Sequence, residues 1–544
     1  MSARPDTRRM PHPAVVERLA RLTPDQCDAA TAPPGPVLCV APAGSGKTTT
    51  LVARIAWLVD GDADPATIAA ITFNKRAAEE LAERAGAALA PLGVAAGALR
   101  VRTFHALGRE ILKDAGHPVE PLIDRADLLA DLWPRTNVAE RGRLDTAFSR
   151  LKLDLAVTAT QVAADPDAGP LARAFVHYEA ALEQRGALDF DDLVRRPLAL
   201  LGSDASLLDR WRQMCAHLLV DEVQDVDRSQ LRLALLLAAP ANRIFLVGDD
   251  DQSIYGWRLA DVRRVLGIGA SLPGLRRVDL EVNHRCPDPV VERAVRLIGH
   301  NLERFDKVIR ARADAPGSLI LAPDDADEPE RTARLLRAWP DDGGSRAVLA
   351  RTNRELRPAV VAAMALGEPF RAPSVELLVE EPALDRLLDQ IATETSADLP
   401  LLVRLGRFRG SLPAEPWADR ELAAALLSWA PPYADLAALR AAVTQTRARL
   451  AVLRRDDARL SLATAHSTKG AEFDHVAVVG LEEGRFPSDR AVADAAEPAR
   501  ALEEERRLGY VAWTRARRSL TLSYDPAVPS PFLLDAFSRD ELGC

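Results

Sequence analysis

The sequence predicts an α/β fold with two parallel-sheet domains, each of which is interrupted by a mainly helical insertion. Short apolar runs alternate with helical segments in two separate parts of the chain. Such alternation indicates a parallel sheet covered on both faces, because the helix between two parallel strands returns the chain to the start of the sheet. Two longer stretches lack the alternation and have helical periodicity, which predicts the insertions.

The first predicted sheet domain covers residues 15–105 and 211–275. Residues 37–41 form an apolar run, as expected of a strand buried on both faces, and strand-like segments recur at residues 68–73, 100–103, 217–220 and 243–247. Residues 106–210 interrupt this domain. Proline and glycine divide them into helical pieces, which predicts the first helical insertion.

The second predicted sheet domain covers residues 276–372 and 461–535. Its strand-like segments are residues 277–282, 318–321, 347–350, 460–465, 475–481 and 520–523. Residues 373–460 interrupt it; they are rich in arginine, leucine and alanine, and their pattern predicts a second helical insertion.

Composition narrows the class of protein. Of the 544 residues, 48% are hydrophobic and 27% charged, which excludes disorder over most of the length. No apolar run reaches the length of a membrane span, so we expect no membrane association. The formal net charge of −9 argues against a surface that is coated with nucleic acid throughout, but it allows a local basic groove. The basic cluster at residues 304–312 is expected to be a solvated face, with contact to a nucleic-acid strand as the alternative.

The cysteines and the beginning of the sequence predict the cell compartment. Five cysteines are scattered without a CxxC pair, which indicates reduced thiols and argues against zinc ribbons and iron–sulfur clusters; they are Cys27, Cys39, Cys215, Cys286 and Cys544. The first residues carry basic side chains with no apolar stretch behind them, so a secretory signal is not expected. The abundance of arginine, alanine and leucine is typical of a bacterial genome rich in GC. We therefore expect a cytoplasmic bacterial protein.

Residues 41–48, with the sequence APAGSGKT, form a phosphate-binding loop. Its glycines let backbone N–H groups converge on phosphate oxygens, and the helix that follows adds positive potential. Lys47 is expected to reach the β- and γ-phosphates and Thr48 to bind Mg²⁺. A turn without nucleotide is the alternative, and the strand before and the helix after the loop disfavour it. The expected contacts with nucleotide are Ala43, Gly44, Ser45, Gly46, Lys47, Thr48 and Thr49.

Two acidic residues follow the predicted strand at 217–220. Asp221 and Glu222 fit a metal-binding aspartate and a water-activating glutamate, and a solvated loop is the alternative. After the next strand, Gln252 is placed to sense the γ-phosphate. Tyr255 and Trp257 then offer stacking faces to bases, with packing in the core as the alternative. In the acidic run before Gln252, some side chains are expected only to brace the loop.

These motifs, in this order, resemble those of superfamily 1 DNA helicases of the UvrD/Rep/PcrA type, over nearly all of both sheet domains. Residues 22–26 resemble the family's Q motif, and the other matching segments are residues 71–80, 103–106, 188–193, 280–287, 350–353, 464–473 and 503–516. Arg76, His284 and Cys286 depart from the family pattern, which usually has Lys, Tyr and Ser there. The resemblance implies two RecA-like domains with an ATP cleft between them.

The resemblance also implies roles for individual residues. Gln26 would contact the adenine and Glu472 the ribose, while Arg285 and Arg515 would contact the γ-phosphate as arginine fingers. Together with Lys47, Glu222 and Gln252, these two arginines make up the expected catalytic set. The implied contacts with single-stranded DNA are Phe73, Arg76, Thr103, His105, Tyr255, Trp257, Arg258, Arg351 and His466. ATP and Mg²⁺ are the implied cofactors, with Mg²⁺ held by Thr48 and Asp221.

Three functions compete. The first is a DNA helicase that moves 3′ to 5′ on single-stranded DNA and acts at junctions with duplex, in repair or recombination. The second is a DNA-dependent ATPase that serves as motor subunit beside a nuclease or in antiphage defence. The third, a P-loop enzyme unrelated to nucleic acid, is disfavoured by the aromatic segment and the motif order. We expect a monomer or weak oligomer, with a nuclease or repair factor as the protein partner to consider.

The second insertion departs most from the family. Residues 373–460 stand in the place of the family's 2B subdomain and are shorter than that subdomain usually is. In the family, 2B contacts duplex DNA and swings to regulate unwinding. We therefore expect efficient translocation on single strands but weak or differently regulated unwinding by the monomer.

Overall fold

The computed structural model describes residues 10–413 and 417–543, which divide into two compact units. The first unit contains residues 10–285 and 298–315, and the second contains residues 286–297 and 316–543. Each unit has one six-stranded sheet in which every pair of neighbouring strands is parallel. The predicted α/β class with two parallel-sheet domains is confirmed.

The sheet of the first unit has the strand order β3-β2-β4-β5-β1-β6. Its strands are β1 (Val37–Val40), β2 (Ile68–Thr72), β3 (Arg100–Thr103), β4 (His217–Val220), β5 (Ile244–Gly248) and β6 (Arg276–Asp279). A separate two-stranded ladder pairs β7 (Val282–Asn283) with β8 (Arg310–Ala311). The phosphate-binding loop follows β1, and the acidic pair follows β4, two strands away at the same edge of the sheet.

Alternate residues along each strand supply two hydrophobic cores, because successive side chains of a strand point to opposite faces. Leu38 and Val40 of β1 belong to one core, and Val37 and Cys39 to the other. The helices cover these faces. The helices of the first unit are α1 (Pro13–Ala20), α2 (Pro24–Ala30), α3 (Lys47–Asp60), α4 (Lys75–Leu89), α5 (Phe104–Asp114), α6 (Arg125–Leu132), α7 (Val138–Ser149), α8 (Ala159–Ala163), α9 (Pro170–Gln184), α10 (Asp192–Ser203), α11 (Ala205–Met214), α12 (Arg228–Ala238) and α13 (Val262–Leu266).

The first insertion is helical, as predicted, and has a hydrophobic core of its own. That core contains Phe148 of α7 together with Phe175 and Tyr178 of α9. A π-helical turn, Arg150–Asp154, follows α7. The core of the insertion is distinct from the two cores of the sheet, so it folds as a helical subdomain of the first unit.

The sheet of the second unit has the strand order β11-β12-β10-β13-β14-β9. Its strands are β9 (Ser318–Pro323), β10 (Arg346–Ala350), β11 (Phe370–Arg371), β12 (Leu460–Thr464), β13 (Phe473–Val478) and β14 (Ala516–Tyr524). The helices that follow in this unit are α14 (Asp288–Ile298), α15 (Glu328–Ala338), α16 (Arg357–Leu366), α17 (Leu384–Glu394), α18 (Leu401–Ser411), α19 (Trp417–Trp429), α20 (Leu436–Leu453), α21 (Asp489–Ala493), α22 (Pro498–Trp513), α23 (Pro531–Ala536) and α24 (Arg539–Leu542).

The second insertion shares its core with the sheet that carries it. Leu387 of α17 and Leu439 of α20 belong to the same buried cluster as Val348 of β10 and Leu462 of β12. This differs from the first insertion, whose core is separate. The four helices α17 to α20 therefore pack as an extension of the second unit.

The boundary between the two sheet domains differs from the expected one at residue 275. Strand β6 begins at Arg276 and pairs in parallel with β1, with Arg276 opposite Val37, so it is the edge strand of the first sheet. Residues 298–315 also belong to the first unit, where they supply β8. The physical reason is that apolar runs identify a strand but carry no information about the sheet it joins.

Within the described part of the chain, no helix combines the length and the hydropathy that a membrane span requires. The cysteines at 27, 39, 215 and 286 are free thiols in the structure, and Cys544 lies outside the described residues.

Candidate functional site

The phosphate-binding loop connects β1 to α3 and is shaped by two glycines in the left-handed region. Gly44 has a φ of +67° and Gly46 a φ of +85°, which side chains other than glycine rarely adopt. Helix α3 begins at Lys47, so the first N–H groups of the helix border the loop. The ammonium of Lys47 donates to the carbonyl of Ala41 over 3.3 Å. The loop therefore presents backbone donors and one lysine, as a phosphate site requires.

Gln26 braces this loop from α2. Its Nε2 donates to the carbonyl of Ser45 over 2.7 Å, and its Oε1 accepts from the backbone N–H of Thr23. A Cβ on residue 46 would lie 2.5 Å from Gln26 Nε2, so the contact requires the glycine. The structure thus gives Gln26 a positioning role, and its contact with adenine stays a prediction.

The segment after β7 lies against the other side of the loop. The N–H of His284 donates to the carbonyl of Gly44 over 2.9 Å, and the N–H of Arg285 donates to Asn283 Oδ1 over 2.8 Å. A Cβ on residue 44 would be 2.7 Å from Asn283 Oδ1 and 2.8 Å from Arg285 Cβ. The first unit by itself therefore places Arg285 beside the loop that would hold the phosphates.

Asp221 begins the loop after β4 and is buried. Burial raises the pKa of Asp221 to about 7, the charge of Glu222 adds to the shift, and the charge of Lys47 opposes it. A divalent cation would favour the ionised form of this carboxylate.

The residues present fit Mg²⁺. In the described parts of the chain, no group of three or more His, Cys, Asp or Glu side chains is arranged to hold a metal ion. Mg²⁺ in nucleotide sites needs no such group, because it takes one or two protein oxygens and completes its shell with phosphates and water. The carboxylate of Asp221 and the hydroxyl of Thr48 are oxygen ligands of that kind.

Glu222 is held in an unusual conformation. Its φ is +52°, a strained value for a residue with a side chain, of the kind that structures retain at functional sites. Its carboxylate accepts from Gln224 Nε2 over 2.6 Å, and Gln224 Oε1 accepts from the N–H of Asp249 over 3.0 Å. The loop after β4 is thereby joined to the loop after β5.

The acidic run after β5 is a bracing element. The carboxylate of Asp249 accepts from Gln252 Nε2 over 2.5 Å, which fixes the predicted γ-phosphate sensor. Lys307 forms ion pairs with all three buried aspartates of residues 249–251. Arg304 adds a two-pronged pair with Asp251 at 2.7 and 2.9 Å. The expectation that residues 304–312 form a solvated face is therefore wrong for Arg304 and Lys307, because buried carboxylates require buried cations.

Three rings that the sequence predicts as DNA contacts lie together. The rings of Phe73 and Tyr255 stack with centroids 5.0 Å apart and 11° between their planes. Trp257 meets Tyr255 edge to face at 6.2 Å and is 58% exposed, and the guanidinium of Arg258 lies 4.7 Å from the Trp257 ring. An exposed tryptophan beside a stacked pair offers a face to bases rather than packing in the core.

A second stack joins His105 to a residue that the sequence prediction missed. The rings of His105 and Phe190 are 3.9 Å apart and inclined by 23°, and Phe190 is 56% exposed. Burial lowers the pKa of His105 to about 4, against the opposing charge of Asp191, so the imidazole is neutral at pH 7. We name the five rings of Phe73, His105, Phe190, Tyr255 and Trp257 the aromatic set. Phe190 lies in the segment 188–193 that resembles the family, but the buried aspartates around it give no sign in the sequence that its ring is exposed.

Two further predicted contacts of the first unit lie near helix starts. Arg76 is exposed in the first turn of α4. Thr103 caps α5, where its hydroxyl accepts from the N–H of Ala106 over 3.2 Å. Their contacts with DNA stay predictions, although Thr103 also has this structural role.

In the second unit, the predicted contacts have partners of their own. Arg351 forms a two-pronged ion pair with Glu505 at 2.6 and 2.9 Å. Burial lowers the pKa of His466 to about 4, and Arg351 adds to the shift. Binding of DNA by Arg351 would therefore compete with Glu505.

The two predicted nucleotide contacts of the second unit also have partners in that unit. Glu472 accepts from Arg517 over 3.1 Å. The guanidinium of Arg515 is buried and donates to the carbonyl of Val511 over 2.8 Å and to that of Ala471 over 3.2 Å. Their roles toward ATP stay predictions.

Comparison with known proteins places this arrangement in context. Residues 22–272 match the UvrD/REP helicase N-terminal domain, and residues 433–526 match the UvrD-like helicase C-terminal domain. The chain is 29% identical to DNA helicase II of Escherichia coli, over 93% of this chain and 84% of that protein. It is 29% identical to the ATP-dependent DNA helicase Rep of Escherichia coli, over 96% of this chain and 95% of that protein. It is 31% identical to the ATP-dependent DNA helicase UvrD2 of Mycobacterium tuberculosis, over 93% of this chain and 79% of that protein.

Proposed function

Because the chain belongs to the family of UvrD/Rep/PcrA-type ATP-dependent DNA helicases, we propose that it moves 3′ to 5′ along single-stranded DNA. We place its work at junctions of single and double strands in DNA repair or recombination. The direction and the pathway are the parts of this proposal that go beyond membership of the family.

One observation supports the coupling of ATP hydrolysis to movement on DNA. The loop after β5 is bonded to the loop with the candidate base through Gln224, which contacts both Glu222 and Asp249. The same loop continues into Tyr255 and Trp257, which belong to the aromatic set. A change at the γ-phosphate would therefore reach, through Gln224, the loop that carries two of the rings that would stack on bases.

The chemistry that the site supports is phosphoryl transfer to water. The backbone donors of the phosphate-binding loop and the ammonium of Lys47 neutralise charge on the phosphates. The carboxylate of Glu222 accepts a proton from the attacking water. Thr48 and Asp221 would hold Mg²⁺, which supplies charge neutralisation of the phosphate oxygens when bound.

The remaining catalytic residues act on the γ-phosphate. Gln252, which is fixed by Asp249, orients groups at this position. Arg285 and Arg515 stabilise the charge of the transition state, a role that contributes roughly 10³–10⁵ in turnover in related enzymes. Arg285→Ala and Arg515→Ala should therefore lose hydrolysis while each protein still binds single-stranded DNA without nucleotide.

The aromatic set explains why single strands are the ligand. Stacking on rings is available only to bases that have left the duplex, and every base has a face to stack. The guanidinium of Arg258 beside Trp257 adds a cation at this surface. We therefore propose binding with weak sequence preference.

A second function is favoured by the second insertion. The helices α17 to α20 share one buried cluster with β10 and β12, so they do not form a module with a core of its own. If unwinding requires these helices to swing relative to the sheet, the monomer translocates on single strands and unwinds weakly. The protein would then be the motor subunit of a complex with a nuclease or of an antiphage-defence system.

Strand displacement on tailed duplexes tests both functions. The purified protein is given duplexes with a 3′ or a 5′ single-stranded tail, and unwinding is compared with translocation on single strands of increasing length. Unwinding from the 3′ tail alone supports the helicase. Translocation without unwinding supports the motor subunit. Unwinding from the 5′ tail contradicts the direction, and ATP hydrolysis that single-stranded DNA leaves unchanged contradicts both.

A further inference from the structure

The π-helical turn Arg150–Asp154 sends three consecutive residues into three different surroundings. The N–H of Leu155 donates to the carbonyl of Arg150 over 2.9 Å, the wide spacing of a π-helix. The side chain of Leu151 packs against the core of the first insertion, and that of Leu153 belongs to a core of the first sheet. Lys152, between them, is fully buried. The turn thus joins the insertion to the sheet domain.

Lys152 binds two aspartates near Phe190, namely Asp189 directly before it and Asp192, the first residue of α10, two positions after it. Its ammonium lies 2.8 Å from a carboxylate oxygen of Asp189 and 3.3 Å from one of Asp192. It also pairs with Glu179 of α9 at 2.7 Å. The backbone on both sides of Phe190 is thereby fixed, while its ring remains exposed and stacked on His105.

The other end of the turn is bound by residues that follow the ATP-site loops. The hydroxyl of Ser229 donates to the carbonyl of Leu153 over 2.6 Å, and Arg228 donates to the carbonyl of Asp154 over 3.0 Å. Both belong to the first turn of α12, directly after the loop that begins with Asp221. Arg264 of α13 pairs with the carboxylate of Asp154 at 2.5 Å.

A buried lysine among acidic side chains contributes little net stability to a protein. The desolvation of the charges offsets most of their attraction, and well-packed apolar residues of similar volume often serve as well or better. What the charges provide is a defined geometry, because each ion pair accepts only a narrow range of positions. Here the ion pairs of Lys152 fix the segment that carries the exposed ring of Phe190.

We propose that the turn Arg150–Asp154 couples the position of Phe190 to the ATP-site loop after β4, with Lys152 and Asp154 as positioning residues. Lys152 sets the ring for the base that stacks on it. The carboxylate of Asp154, which pairs with Arg264, transmits to that ring a shift of α13, which contacts residues 223–225 of the loop after β4. This inference rests on the proposed function, because it assumes that ATP hydrolysis responds to single-stranded DNA.

The test separates ATP turnover without DNA from its stimulation by DNA. In Asp154→Ala, turnover without DNA and the thermal midpoint should stay near those of the wild type. The maximal rate with saturating oligo(dT) should fall by about 2–30-fold, the range for residues that carry coupling. In Lys152→Met, the oligo(dT) concentration for half-maximal stimulation should rise by a similar factor. A purely structural role would instead lower the thermal midpoint and both rates together.

A double-mutant cycle shows whether the turn acts through Phe190. Phe190→Ala and the double variant with Asp154→Ala should have the same stimulated rate, because the second change has nothing left to transmit. Asp131→Ala is the matched control, since it breaks an exposed ion pair with Arg185 in the same insertion. Its stimulation should equal that of the wild type.

Every outcome decides between the alternatives. Normal stimulation in Asp154→Ala, or losses that add in the double variant, overturns the coupling. If Lys152→Met does not fold, the Asp154 variants decide alone, because that side chain is partly exposed. If the wild-type ATPase ignores oligo(dT), the proposed function has failed rather than the role of the turn.

Discussion

Gln224 donates its side-chain N–H to the carboxylate of Glu222 over 2.6 Å. The contact holds the candidate base, whose backbone is itself strained at a φ of +52°, in one orientation. The oxygen of the same amide, Gln224 Oε1, accepts from the N–H of Asp249. Gln224 therefore fixes the carboxylate of Glu222 and links it to the loop that leads to the aromatic set.

Glu222→Gln should abolish turnover and keep the binding of ATP. The amide preserves the shape of the side chain but cannot accept a proton from water, and loss of a general base costs roughly 10²–10⁴ in rate. Single-turnover hydrolysis and the affinity for a fluorescent ATP analogue measure the two effects. Glu183→Gln, on the exposed face of α9, is the control. Normal hydrolysis in the Glu222 variant would show that another group is the base.

Gly44→Ala should weaken nucleotide binding. The added Cβ meets Asn283 Oδ1 at 2.7 Å, and a left-handed backbone with a side chain costs about 1–2 kcal/mol by itself. The dissociation constant of the ATP analogue should therefore rise by about tenfold or more.

Gly86→Ala is the matched control for this change. Gly86 lies inside α4 with nothing within 4 Å of the added Cβ, so the alanine should stabilise the protein by about 0.4–1 kcal/mol. Unchanged nucleotide affinity in Gly44→Ala would mean that the loop does not need the conformation described.

Trp257→Ala should lose affinity for single-stranded DNA by about 1–3 kcal/mol with little loss of stability. The side chain is 58% exposed, so its removal leaves no cavity. Trp211→Ala is the contrast, because Trp211 is 3% exposed in the core and its loss should cost about 3–5 kcal/mol of stability. Fluorescence anisotropy with labelled oligonucleotides and thermal unfolding separate the two effects. A large drop in thermal stability of the Trp257 variant would assign this ring to packing.

Asp227→Asn should stabilise the protein at high pH only. Asp227 caps α12, and burial raises its pKa to about 7 from an ordinary 3.8. The folded protein therefore holds a proton that the unfolded chain releases, and stability falls as the pH rises through this window. Asparagine keeps the cap but cannot ionise. The variant should unfold at the same temperature as the wild type near pH 4 and be more stable near pH 8, by at most about 4 kcal/mol.

Asp204→Asn is the control, because the pKa of Asp204 is lowered by folding whereas that of Asp227 is raised. Asp204 caps α11 at the surface, and the N–H of Leu207, which donates to it, lowers its pKa. Its contribution to stability is present above the ordinary pKa and is lost as the pH falls. The asparagine should therefore bring no gain near pH 8. Parallel pH profiles for the two variants would contradict the assignment of Asp227.

The sequence predicts best what depends on local chemistry. The sequence alone predicts the phosphate-binding loop, the acidic pair after β4 and the exposed Trp257, because a turn or a strand end dictates the residue types there. The sequence does not predict the partners of Asp249 and Asp251. Lys307 and Arg304 are more than 50 positions away along the chain, and they lie in a basic run like any other. The same limit applies to β6, whose pattern gives no sign that it pairs with β1.

The return of residues 298–315 to the first unit matters for the order in which the chain is made. Asp249 leaves the ribosome 58 positions ahead of Lys307, and most of α14, which belongs to the second unit, emerges in between. The first sheet domain thus cannot neutralise its acidic loop until part of its neighbour has been synthesised. A shortened chain that stops at residue 285 would bury three carboxylates without their cations, so the two units are not separable by a single cut.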